Sequence, residues 1–170
     1  REISGTWEIA LRSEQLAALL AGFGLPEIAA TGTGKFSLKP DTNAASASGS
    51  LRASATQLQK LSPALAAVGS VQLKSSFDGS LADSAANLNT FEVELADGAG
   101  RRFAQINLLQ KVSYRLADRH VTLADVKAEA ARLTLQAVPL AWAQPIAKPM
   151  TIESGNLSLV LAVEAEPDGS

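Results

Sequence analysis

Ile28-Ala29-Ala30-Thr31-Gly32-Thr33-Gly34-Lys35-Phe36-Ser37-Leu38 decides the fold of this chain. Its large apolar residues and glycines fall on even positions, while Thr31, Thr33, Lys35 and Ser37 fall on odd ones. A period of two places these sets on opposite faces of a half-buried strand. Pro40-Asp41-Thr42-Asn43 then supplies turn chemistry. Beyond it, Ala45, Ala47, Gly49, Leu51, Ala53 and Ala55 alternate with Ser46, Ser48, Ser50, Arg52, Ser54 and Thr56, which predicts a β-hairpin with one apolar and one polar face.

Outward from the hairpin the same period recurs. Ile3, Gly5, Trp7, Ile9 and Leu11 share a face, as do Val71, Leu73 and Phe77, and then Phe91, Val93 and Leu95 ahead of an Asp97-Gly98-Ala99-Gly100 turn. Asp78-Gly79 reads as another turn. Arg102 to Gln110 and Val112 to Leu116 continue the meander, and Ala117 to His120 turns into Val121-Thr122-Leu123. Val126 to Ala137 mixes helix-forming composition with strand spacing, and the spacing predicts strand. Pro139 stops that ladder. Ile152 and the set Leu157, Leu159, Leu161 and Val163 fall on opposite phases, which predicts a bulge at Gly155.

Helix is expected only in connectors: Glu14 to Ala21 after Ser13, with Gly22 or Gly24 as its stop, Gln57 to Leu61, Pro63 to Ala67, and one turn over Leu140 to Ala143 before Pro145. Three times such an apolar segment runs into a glycine-bearing strand, the marks of a sheet that grows by accretion. The fold class expected is mainly β: a long antiparallel, twisted or curled sheet with short helices packed on one face or capping its ends. Residues 1–170 read as one β-rich domain, a segment of a larger repetitive protein. Arg1 at the start and the single Met150 lead to the expectation that the native start lies upstream.

Nine strands of about ten residues give an apolar face of roughly 1,400 Å² at the usual strand spacing. Three short helices shield about a third of it. The remainder must close on itself as a sandwich or barrel, or curl into a trough finished by an apolar ligand or a neighbouring segment. The alanine- and glycine-rich lining suits close helix docking or a groove for an acyl chain. For the groove, the candidate lining residues are Ile28, Ala30, Phe36, Leu51, Val71, Leu73, Phe91 and Val93.

A net charge of −2, no basic cluster and an aromatic content of 5% disfavour nucleic acid, which needs a positive footprint and stacking rings. The lack of cysteine excludes disulfides and thiolate metal sites. No run of 18 apolar residues occurs. His120 stands alone, so no histidine-based metal site can be assembled. No Gly-x-Ser-x-Gly nucleophile elbow is present, and Gly32-x-Gly34 lacks the third glycine of a dinucleotide site. No cofactor and no enzymatic chemistry are expected. Arg101 and Arg102 are weighed as phosphate contacts at a groove rim against simple exposure. Trp7 and Trp142 are weighed as marks of a ligand mouth or membrane interface against packing within the fold.

The glycine-led strands Gly32-Thr33-Gly34-Lys35-Phe36-Ser37-Leu38, Gly49-Ser50-Leu51-Arg52-Ala53-Ser54 and Gly155-Asn156-Leu157-Ser158-Leu159, with the connector Val138-Pro139-Leu140-Ala141-Trp142, resemble the AsmA-like and TamB group of Gram-negative envelope proteins. That resemblance implies a curved hydrophobic sheet for phospholipid passage between membranes. It further implies a periplasmic or cell-envelope location, a role in outer-membrane biogenesis, and as partners lipid acyl chains and neighbouring β segments of the parent protein. The alternative is a structural or adhesive β module with a closed core and edge-strand protein contacts.

Overall fold

The computed structural model of the chain describes residues 1–17, 26–143 and 154–164. Ten strands form one antiparallel sheet: β1 (Ile3–Arg12), β2 (Glu27–Lys39), β3 (Ala44–Thr56), β4 (Val71–Ala82), β5 (Ala85–Asp97), β6 (Arg102–Leu108), β7 (Val112–Arg115), β8 (His120–Leu123), β9 (Ala131–Pro139) and β10 (Asn156–Val163). The main path runs β1-β2-β3-β4-β5-β6-β9-β10, and β7 with β8 branches from β5. On its edge away from β4, the thirteen-residue β5 serves two neighbours, pairing β7 over its first residues and β6 over its last. The two ends of the path do not meet, so the sheet is open and not a barrel.

The β2–β3 hairpin forms in the register that its alternation requires, with Phe36 opposite Ala47, Gly34 opposite Gly49 and Ile28 opposite Ala55. A 3-10 turn, Pro40–Thr42, closes it, and Asn43 takes the left-handed backbone (φ 49°) that asparagine tolerates. The next hairpin corrects the reading of Asp78-Gly79 as a turn. Both residues lie inside β4, where the ladder irregularity between them leaves Asn89 of β5 as an extra residue. The chain instead reverses at Asp83 and Ser84, both at positive φ (51° and 59°), a two-residue turn whose twist matches the strands.

Two other strand limits shift. β6 ends at Leu108, and β9 begins at Ala131 rather than Val126, because the side-chain amide of Gln110 holds the intervening loop. Its Nε2 donates to the carbonyls of Asp125 and Ala128 at 2.8 and 2.9 Å, and its Oε1 accepts from the Asp125 amide at 2.8 Å. The bulge expected at Gly155 is found elsewhere. The β9–β10 register shifts between Leu157 and Leu159, with Ala137 (φ 50°) bulging from β9 and donating its amide to Ser158 Oγ at 3.1 Å. Gly155 precedes β10 at φ 131°, and its carbonyl accepts from the Leu140 amide at 3.0 Å. Ile152 lies outside the described residues.

Among the described residues, helical structure is confined to connectors. α1 (Ser13–Ala17) follows β1, 3-10 turns Leu58–Lys60 and Pro63–Val68 follow β3, and a 3-10 turn Leu140–Ala143 follows β9. The predicted remainder of the first helix, with Gly22 and Gly24, and Pro145 fall outside the described residues. Since β1, β3 and β9 run the same way along the antiparallel ladder, all these turns sit at one end of the sheet. They cap that end, where Pro26 and Leu58 are buried. The sheet itself buries little. Besides these two, only Gly32, Ala96, Ala104 and Ala130 are buried among the described residues. The accessible surface is 11454 Å² for 17.6 kDa, whereas a compact fold of that mass exposes about 7,900 Å².

Candidate functional site

Registers carried from strand to strand show which side chains share a face. Leu11, Ala30, Ala53, Leu73, Leu95, Ala104, Leu135 and Leu159 form one row across all eight strands of the main path. The next row on the same face is Ile9, Gly32, Leu51, Ser75, Val93, Ile106, Leu133 and Leu161. Each ladder irregularity is compensated so that the apolar sets stay in phase: Gly79 opposes Leu88 after the β4–β5 shift, and Leu157 opposes Val138 after the β9–β10 shift. All eight residues proposed for a groove, Ile28, Ala30, Phe36, Leu51, Val71, Leu73, Phe91 and Val93, come to this one face. None of them is buried; seven are half-buried and Phe36 is 41% exposed. Ile9 at 50% and Leu161 at 48% show that the face stays open toward both edges.

The floor of this face has a feature that alternation alone did not reveal. Trp7 of β1 opposes Gly34 of β2, which opposes Gly49 of β3, which opposes Phe77 of β4, which opposes Phe91 of β5. The two glycines leave a recess, and the indole lies in it. A methyl group added at Gly34 would stand 2.4 Å from Trp7 Cε2 and Cζ2, and one at Gly49 would stand 2.2 Å from Cζ2. The ring reaches across two strands to stack on Phe77, with centroids 6.3 Å apart and planes 14° apart. Phe36 covers Gly5 in the same manner, its ring carbons 2.9 Å from where a Cβ would be. The available sequence signal was the glycine pair 34 and 49, whose positions become directly opposite once the hairpin register is set. Trp142 packs edge-on against Phe103 at 4.9 Å, at the capped end.

Charge is segregated to the opposite face. Among the described strand residues, every Asp, Glu, Lys and Arg except Asp97 lies there by register. Lys74 and Arg102 each approach Glu94 at 3.5 Å, and Gln105 Nε2 donates to Glu92 at 3.0 Å. Asp97 ends β5, and its Oδ1 accepts the backbone amides of Ala99 and Arg101 at 2.9 Å each while Oδ2 accepts from Arg101 Nε at 2.8 Å. The backbone amide of Arg101 above all, helped by the guanidinium and the Ala99 amide, holds this carboxyl below its ordinary pKa against the opposing effect of desolvation. Both arginines weighed as rim contacts therefore have carboxylate partners within the chain.

His120 is the first residue of β8, opposite Arg115, and its backbone amide donates to Asp118 Oδ1 at 3.3 Å. Among the described residues no three His, Cys, Asp or Glu side chains are grouped to hold a metal ion. No described helix is long and apolar enough to cross a membrane. Comparison with family models, curated proteins and solved structures found no match.

Proposed function

We propose that this chain is a non-catalytic segment of an AsmA-like envelope protein whose open apolar face shelters or conveys lipid acyl chains. One observation carries the reading: a continuous apolar face eight strands wide, with every proposed lining residue left unburied. Each 100 Å² of such surface removed from water gains about 2.5 kcal/mol, so the face has a strong demand for cover. Acyl chains meet it without polar complementarity. The role needs no covalent chemistry, and neighbouring β segments of the parent protein would extend the sheet at β1 and β10, whose outer edges have no strand partner among the described residues. A periplasmic or envelope location follows from the same family resemblance.

Those two edges also favour the second reading, a structural or adhesive module joined to protein partners by strand addition. The two separate in one experiment. Protein purified without detergent and examined by native mass spectrometry and solvent extraction should carry phospholipid under the first reading. A lipid-free protein that stays lipid-free on exposure to phospholipid vesicles would leave only the second.

A further inference from the structure

On the polar face, register sets Thr31 of β2, Arg52 of β3 and Lys74 of β4 directly opposite one another, with Glu94 of β5 opposite Lys74. Two cations in opposed positions repel each other and weaken a sheet. Little in the chain offsets this: Glu94 is shared between Lys74 and Arg102 at 3.5 Å each, and Arg52 makes no ion pair among the described residues. A groove of about 330 Å³ opens beside the pair, lined by both cations with Thr31, Ser54 and Gln72, and no carboxylate stands among its described lining residues. A second groove, also lined by both cations, contains Glu92 and Glu94, which repel an anion. A guanidinium fork beside an ammonium, two hydroxyls and a side-chain amide is a donor set for a tetrahedral oxyanion. We infer that Arg52 and Lys74 bind a phosphate group in the groove bounded by Thr31, Ser54 and Gln72. Two of its oxygens meet the fork of Arg52, a third meets Lys74, and the hydroxyls and amide donate to the remaining lone pairs. The groove lies on the face opposite the acyl-chain surface, so this phosphate does not belong to a lipid held there, and the two proposals stand or fall separately.

The probes are methyl phosphate in solution and phosphatidylcholine vesicles with or without phosphatidic acid, whose headgroup is the same monoester. Methyl phosphate, followed by backbone-amide NMR shifts of the whole chain, should move Thr31, Arg52, Ser54, Gln72 and Lys74 saturably, with an affinity that falls as salt screens the exposed pair. Arg52→Gln should weaken binding about tenfold, the scale of a lost charge-assisted hydrogen bond. Arg52→Lys should fall between, because it keeps the charge without the fork. Lys35→Gln, on the same face but outside the groove, should bind as the parent does. Arg52 and Lys35 are both exposed, so the urea midpoints of these variants should not fall. Saturable binding of methyl phosphate, lost in Arg52→Gln, supports the site with a soluble ligand. A response confined to vesicles with phosphatidic acid, and lost in the same variant, supports it with a lipid headgroup. No response to either probe, binding that survives Arg52→Gln, or an equal loss in Lys35→Gln would overturn the site while leaving acyl-chain binding on the other face untouched.

Discussion

Trp7 shows how single residues shape the face. An indole is too large to stand upright on a shallow sheet without exposing its rings, and Gly34 and Gly49 let it lie flat against the backbone and reach Phe77. Substituting Gly49→Ala puts a methyl group 2.2 Å from Cζ2 of Trp7 and 2.8 Å from the Thr33 carbonyl, so the ring must leave its recess. We expect a loss of about 1–3 kcal/mol in urea unfolding, the usual cost of overpacking. Trp7→Ala should cost about 2 kcal/mol, below the range for a fully buried aromatic because the ring is half-exposed. The two changes should not add. In the double variant the alanine at 49 no longer meets the indole, and a double-mutant cycle should return a coupling of about 1 kcal/mol. Strict additivity would mean that the ring does not occupy the recess. Across the sheet, Leu73→Asp places a charge among Leu95, Ala53 and their row neighbours and should destabilise strongly, whereas His120→Ala and Glu92→Gln should change melting temperature little.

At the level of elements, strands were legible wherever period-two alternation was unbroken. β1, the β2–β3 hairpin and the segments around Leu73 and Val93 needed nothing beyond apolar spacing and Pro40. What alternation could not locate was the interruptions. Asp83-Ser84 lacks the glycine that marks a two-residue turn, while Asp78-Gly79 has one and continues as strand. The β9 bulge rests on Ala137 at φ 50°, a residue with no turn signature, and the Gln110 clamp is a long-range polar contact that spacing does not encode. The Asp97–Arg101 turn was legible, and its carboxylate now gives it a pH signature. A depressed folded-state pKa means stabilisation that is complete above the unfolded carboxyl pKa of about 3.9 and is lost as pH falls through the lower folded value. Asp97→Asn should therefore be less stable than the parent at pH 7, with the difference shrinking in acid unfolding curves taken below about pH 4. A difference independent of pH would assign the effect to packing instead.

For the whole molecule, the decisive property is an open sheet that keeps one apolar face in phase from β1 to β10 through three ladder irregularities, with accessible surface roughly 3,500 Å² above that of a compact fold of its mass. The sequence showed that this face existed and which eight residues to place on it. It could not show whether the face closed, because a sandwich and an open sheet share the same alternation; only the strand order and the exposure of Phe36, Ile9 and Leu161 distinguish them. The chain carries its own reporter. It has two tryptophans, and Trp142 packs on Phe103 at the capped end, so a Trp142→Phe variant leaves Trp7 on the apolar floor as the sole indole. Lipids brominated at mid-chain should quench Trp7 emission saturably in this variant, while the same lipids without bromine should not. Unquenched Trp7 in a folded protein saturated with brominated lipid would contradict acyl-chain binding on this face.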